Sequence, residues 1–273
     1  MNKEQLTSLI LKKKSFLCVG LDADIQKIPG HLLEFEDPIF EFNKQIIDAT
    51  RDFCVAYKPN FAFYEALGAI GWKSLEKTVN YIGDSHFTIA DAKRGDIGNT
   101  SNLYAKAVFE QLGFNSITVA PYMGKDSVEP FLQFKDKWVI VLGLTSNPGS
   151  TDFQKLMTDD GSFLYEKVIS NAQRWGTSDQ LMFVIGATQT DYIKRIRRLA
   201  PDNFFLVPGV GAQGGDLRGV ADAGINKDIG LIVNSSRGII YASNGKDFAE
   251  RASDAANDLQ LQMQGILEEN NLV

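Results

Sequence analysis

The sequence predicts an α/β protein, a single (β/α)8 barrel of the TIM class spanning residues 1–273, and three observations carry that expectation. Short apolar or β-branched runs alternate with segments of helical period, the runs number eight, and polar or charged residues collect where they end. Parallel strands need a crossover long enough to hold a helix, so this alternation builds a parallel sheet with helices outside it. An open doubly wound sheet would instead call for a Gly-x-Gly-x-x-Gly turn after the first strand, and Gly20-Leu21-Asp22-Ala23-Asp24 does not supply one.

In order along the chain, the strands are read at 16–22, 55–60, 87–93, 116–122, 138–145, 181–188, 204–210 and 231–235. The helix after the first strand shows one apolar face in Ile39, Phe42, Ile46, Ala49 and Phe53. Tyr192, Ile196 and Leu199 mark the helix after the sixth strand in the same way. At the C-terminus Phe248, Ala252, Ala255, Ala256, Leu259, Met263, Ile266 and Leu267 keep a helical stripe, so the chain ends by docking a helix. No linker, repeat or low-complexity tract breaks the pattern, although the segment 147–161 is long for a connection and the sequence gives no reason for it.

Composition bounds the function from outside. A chain of 273 residues, 44% hydrophobic and 23% charged, is large enough to bury one barrel core. Its net charge of −6 argues against nucleic-acid binding, which needs a clustered excess of Lys and Arg. The triplet Lys12, Lys13, Lys14 reads as isolated and solvated. An anionic ligand would therefore have to be held by a few local cations and oriented backbone N–H groups. Cys18 and Cys54 each sit at or within an apolar run, which fits small buried hydrophobes in a reducing cytoplasm. The N-terminal segment has the wrong order and length for a signal peptide, no stretch of about 18 apolar residues predicts a membrane span, and His31 and His86 lack the spacing of a metal site.

The strand ends hold the candidates for chemistry. Asp22 closes the first strand, Lys58 the second, Asp91 and Lys93 the third with Asp96 just beyond, and Thr145 with Ser146 the fifth. Residues two apart on a strand share a face, and in a closed barrel that face is the interior, so Asp91 and Lys93 are expected to point inward together. A buried ion pair alone would be weakly stabilising at best. Adding Lys58 and Asp96 gives an alternating Lys-Asp-Lys-Asp network, more than a structural pair requires. A lysine held between carboxylates keeps its proton and acts as an acid, not as the neutral amine of Schiff-base chemistry. The turn Pro208-Gly209-Val210-Gly211-Ala212-Gln213-Gly214-Gly215, followed by helical sequence, suits an anion, and Arg237 after the eighth strand adds a forked cation.

The run Asp91-Ala92-Lys93-Arg94-Gly95-Asp96-Ile97-Gly98-Asn99-Thr100 resembles the Asp-x-Lys-x-x-Asp signature of the orotidylate decarboxylases, in their larger bacterial branch. The resemblance continues in order through Gly20-Leu21-Asp22, Tyr57-Lys58-Pro59-Asn60, Ser146-Asn147-Pro148-Gly149, the turn at 210–215 and Arg237. It implies a decarboxylase acting on orotidine 5'-monophosphate in de novo pyrimidine synthesis, with no cofactor and no metal. By the same resemblance Lys93 gives a proton to C6, Asp91 lies beside the substrate carboxylate, Lys58 completes the network, and Asp22 binds ribose. Ser146 would contact the pyrimidine, and Gly211, Gln213 and Arg237 the phosphate. Asp96, Ile97 and Thr100 would enter the site of a second subunit, which implies a homodimer with shared active sites. The rival within the same superfamily is a metal-dependent sugar-phosphate decarboxylase or aldolase. Those enzymes place a Mg2+-binding carboxylate on the second strand, where this chain has Lys58 and no acid.

Overall fold

The computed structural model describes residues 1–188, 190–210 and 216–273. Eight parallel strands close into a barrel in sequence order: β1 (Leu17–Leu21), β2 (Ala56–Pro59), β3 (Phe87–Arg94), β4 (Ser116–Val119), β5 (Trp138–Leu144), β6 (Leu181–Ile185), β7 (Phe204–Pro208) and β8 (Leu231–Ser235). Strands packed on the barrel interior inside and on helices outside are apolar on both faces, and β1, β2, β4, β6 and β8 are buried along their whole length. All eight expected strands form. Several stop short of the expected end, because residues such as Asp22, Tyr122 and Thr188 leave the ladder for the rim.

The helices are α1 (Lys3–Lys13), α2 (Pro38–Thr50), α3 (Phe61–Glu65), α4 (Ala69–Ile82), α5 (Gly98–Lys106), α6 (Lys125–Leu132), α7 (Ser150–Phe153), α8 (Leu164–Ala172), α9 (Thr190–Leu199), α10 (Leu217–Gly224), α11 (Arg237–Ile240) and α12 (Phe248–Glu269). In α2, Ile39, Phe42 and Ile46 are buried as the periodicity requires, but the helix ends at Thr50. Phe53 therefore reaches the core from a turn and not from the helical stripe. The stripe of α12 holds: Phe248, Ala252, Ala256, Met263, Ile266 and Leu267 are all buried.

The N-terminal helix α1 has no counterpart in the apolar periodicity. Its signal is a capping box, in which Asn2 Oδ1 accepts from the Gln5 N–H and Gln5 Oε1 accepts from the Asn2 N–H, each at 2.9 Å. The lysine triplet is also not simply solvated. Lys13 is half-buried against the Arg51 carbonyl and His86, and Lys14 pairs with Glu268 at 3.1 Å, so these side chains help fix α1 and the end of α12. Both cysteines are buried free thiols, and burial pushes Cys54 up to about 11. Among the described residues no helix is long and apolar enough to cross a membrane.

Candidate active site

The C-terminal ends of β1, β2, β3, β7 and β8 surround a cleft of about 180 Å³ lined by Asp22, Lys58, Asn60, Asp91, Asn234 and Arg237, with Pro208, Gly209, Val210 and Ser236. Larger depressions lie elsewhere, one beside α1 and one between α8 and α9, but neither lies at the C-terminal mouth of the barrel. In the cleft Lys58 Nζ is 2.8 Å from Asp91 Oδ2, and Lys93 Nζ is 2.6 Å from Asp91 Oδ1. Asp22 Oδ1 stands 3.9 Å from Lys58 Nζ. One carboxylate is thus held between two ammonium groups, with a second carboxylate at the rim.

Burial alone would push both Asp91 and Lys58 toward their neutral forms. For Asp91 that tendency is outweighed by the charges and hydrogen bonds of Lys58 and Lys93, which hold its carboxyl below the usual carboxylate range. For Lys58 it is outweighed by Asp91 and Asp22, which raise the ammonium above the usual lysine range. The two shifts are opposite in sign and both favour the charged form, so the pair is ionised at neutral pH.

Lys93 reaches this pair by a route the strand alternation does not give. Its φ is +47°, in the left-handed region, and the β3–β4 register shifts between Ala90 and Arg94. Thr118 on β4 holds the irregularity, accepting from the Lys93 N–H at 2.9 Å and donating to Asp91 Oδ1 at 3.2 Å. Asp91 and Lys93 therefore do not share the interior face of a regular strand. The Asp91 side chain is 11% exposed inside the barrel, whereas that of Lys93 is 50% exposed and bends back from the mouth.

Asp96 is the member of the expected network that stays outside it. Its Oδ1 accepts from the Ile97 N–H at 2.8 Å, its carbonyl accepts from Ser101 Oγ, and among the described residues it makes no ion pair. Ile97 (58% exposed) and Thr100 stand exposed at the start of α5 and do not line the cleft of their own chain. Ser146 follows β5 at the rim, packed so closely on Gly186 that a Cβ there would lie 2.8 Å from its own Cβ. Arg237 opens α11 and lines the cleft. Gly211 and Gln213 lie outside the described residues. The turn leading to them is described, with Gly209 at φ +97°, and α10 begins just after it, N-capped by Asp216.

Four side chains that the sequence reading did not single out belong to the site. Thr118 fixes the bulge, Asn60 bridges to Asp91 through the backbone, and Ser236 donates to Asp22 Oδ2 at 2.8 Å. Among the described residues neither the buried Asn234 Oδ1 nor Asp22 Oδ1 has a hydrogen-bond partner, the latter standing only at ion-pair distance from Lys58. The signal for Asn234 was a lone amide inside an apolar strand, and for Thr118 a hydroxyl in the same kind of run.

A closed parallel barrel with an ionised Lys-Asp-Lys cluster at the C-terminal mouth and an arginine after the eighth strand defines a barrel enzyme with an anion-binding site. The comparisons sharpen that class. Residues 15–252 match the model of the orotidine 5'-phosphate decarboxylase / HUMPS family, and the chain belongs to that family. The orotidine 5'-phosphate decarboxylase of Flavobacterium johnsoniae is 60% identical over 271 residues, covering 98% of this chain and 99% of its own. That of Bacteroides fragilis is 58% identical over 266 residues, covering 96% and 97%. Among solved structures, the OMP decarboxylase of Leishmania donovani superposes with a TM-score of 0.81 at 36% identity, covering 96% of this chain and 100% of its own.

Proposed function

We infer that the protein is a carboxy-lyase that converts orotidine 5'-monophosphate to uridine 5'-monophosphate, a step of pyrimidine biosynthesis carried out in the cytoplasm. The observation that carries the reading is Asp91 kept ionised between Lys58 and Lys93 at the barrel mouth. In the reaction the C6–carboxylate bond breaks, CO2 departs, and the electron pair stays on C6. The Lys93 ammonium stabilises that charge as it develops and then transfers a proton to C6, after which solvent reprotonates Lys93. Asp91, unable to take up a proton, lies against the substrate carboxylate and raises the ground state. Because preformed charges supply this stabilisation, the chemistry needs no electron-sink cofactor.

Lys58 fixes Asp91, Asp22 takes ribose hydroxyls and Ser146 contacts the pyrimidine. Arg237, with Gly211 and Gln213 of the glycine turn, holds the phosphate, and that remote binding energy closes the site over the base. Asp96, Ile97 and Thr100 complete the site of a second copy in a homodimer. Two observations support this: Asp96 stays outside its own network, and the apolar side chains Ile97, Leu103 and Tyr104 are exposed together on one loop and helix.

The test mixes the purified protein with orotidylate in excess EDTA and follows the absorbance change on decarboxylation. Turnover indifferent to the chelator is expected. A strict Mg2+ requirement would contradict the reading in favour of the sugar-phosphate branch, though a divalent cation beside two ammonium groups is electrostatically unfavourable.

A further inference from the structure

The long segment after β5 folds back as a strap and returns to the strand it left. It carries α7, then an antiparallel bridge between Met157 and Phe163, and it enters α8 with the Leu164 N–H donating to the Leu156 carbonyl at 2.8 Å. Gln154 attaches it to the barrel rim through its side chain. Gln154 Oε1 accepts from the backbone N–H of Thr145 at 2.8 Å, and Gln154 Nε2 donates to Thr145 Oγ1 at 2.8 Å. Thr145 Oγ1 donates in turn to Asn147 Oδ1 at 2.6 Å. The glutamine is itself anchored, since its carbonyl accepts from the Tyr165 N–H at 2.9 Å and its N–H donates to the Ser150 carbonyl at 2.9 Å.

Ser146 therefore sits between Thr145, closed in a ring of hydrogen bonds with Gln154, and Asn147, which accepts from Thr145. On its other side Gly186 packs against its backbone N at a distance that excludes any side chain. An apolar cleft of about 420 Å³, walled by Pro121, Tyr122, Leu142, Phe153 and Leu164, separates strap and barrel nearby. Apolar packing there is incomplete, so the doubly bonded Gln154 amide helps to set where the strap meets the rim.

We propose that Gln154 is a positioning residue for the pyrimidine subsite: it fixes the backbone of Thr145 and through it the hydroxyl of Ser146. The proposal rests on the reading that Ser146 contacts the base. It gives the segment 147–161 a use, because only a connection long enough to turn back brings the Gln154 side chain to the backbone N–H of Thr145. The Ser146 hydroxyl has one bond to the ring with which to discriminate, so a small displacement removes a base contact without touching ribose or phosphate.

The test measures kcat/KM for orotidylate in Gln154→Met, Gln154→Glu, Ser146→Ala and the double variant Ser146→Ala/Gln154→Met, with inhibition by ribose 5-phosphate as a base-independent readout. Gln154→Met is expected to lose about tenfold, the scale of one ordinary hydrogen bond, chiefly through KM, with ribose 5-phosphate inhibition unchanged. Gln154→Glu keeps the acceptor for the Thr145 N–H and should retain most activity. Adding Gln154→Met to Ser146→Ala should cost nothing further, because both remove the same contact. Additive losses, an equal loss of ribose 5-phosphate binding, or a fully active Gln154→Met alongside a crippled Ser146→Ala would each overturn the inference alone. Full activity in Ser146→Ala would overturn the placement of Ser146 on the base, and the inference with it.

Discussion

The two strand ends that supply the lysines are built differently. At β2 the ladder is regular, Gly20 faces Lys58 across the register, and the Lys58 side chain is 5% exposed. At β3 the ladder breaks, Lys93 takes a left-handed backbone, and its side chain is ten times as exposed at 50%. The same charge on a rigid, buried stem and on a bulged, solvent-reaching stem serves two purposes. Lys58 is an anchor whose proton is locked by Asp91 and Asp22. On the proposed mechanism Lys93, reaching solvent, is the lysine that meets the substrate. The bulge costs backbone strain on the order of 1–3 kcal/mol, and strain of this kind gathers at functional sites.

The contrast breaks first at Lys93. Lys93→Ala should lower turnover by at least about a thousandfold while leaving the circular dichroism and the urea midpoint near wild type, since it removes the acid aimed at C6. Full activity in the folded variant would end the distinction between the two lysines. Lys58→Met attacks the anchor instead. It leaves Asp91 buried with a single cationic partner and, among the described residues, nothing on Oδ2, so a drop in stability of a few kcal/mol should accompany the loss of activity, and the urea midpoint reports it. An unchanged midpoint would mean that Lys58 is not what holds Asp91 ionised.

Arg237→Ala should act mainly on KM, by one to two orders of magnitude in round terms, with a smaller fall in kcat if loop closure draws on the phosphate. Unchanged affinity for orotidylate would remove Arg237 from the phosphate site. Mixing Lys93→Ala with Asp96→Ala subunits sharpens the comparison across a dimer. With free exchange about half of the dimers are mixed and each has one intact site, so activity should recover toward roughly a quarter of wild type. No recovery with mixed dimers demonstrated by mass spectrometry would return Asp96 to its own chain.

The smallest effect concerns a buried group far from the chemistry. His86 is pushed down to about 4 by burial, with Lys13 and Arg51 adding to the shift and the Arg51 carbonyl opposing it. An unfolded histidine titrates near 6.5, so between those values the unfolded chain binds the extra proton and stability falls as pH drops. The loss approaches about 3 kcal/mol by pH 4. A urea midpoint in wild type that declines across this window, and declines less in His86→Phe, is the expected outcome.

What could be read from the sequence follows the same division as the lysines. All eight strands were legible because parallel strands covered on both faces appear as near-continuous apolar runs. Asp22, Lys58, Asp91 and Arg237, which the structure brings to one cleft, were legible because charges at the ends of such runs have few structural uses. The bulge was not, since the period-two rule assumes an unbroken ladder and the break at Lys93 depends on the Thr118 hydroxyl from the next strand. The helix α1 was missed because it buries only Leu6 and Ile10 fully, with Leu9 partly buried beside them, too few for a periodic signal. The strap of residues 147–161 was visible as length without purpose, its purpose residing in a pairing of Gln154 with Thr145 that no local pattern announces.

The division of labour between the lysines is tested most directly by running the protonation step backwards. If Lys93 delivers the C6 proton, microscopic reversibility requires it to remove that proton as well, so the enzyme should exchange the C6 hydrogen of uridine 5'-monophosphate for deuterium in D2O. The account predicts exchange in the wild type, readable by NMR, none above background in Lys93→Ala, and reduced but measurable exchange in Lys58→Met. Undiminished exchange in Lys93→Ala would contradict it.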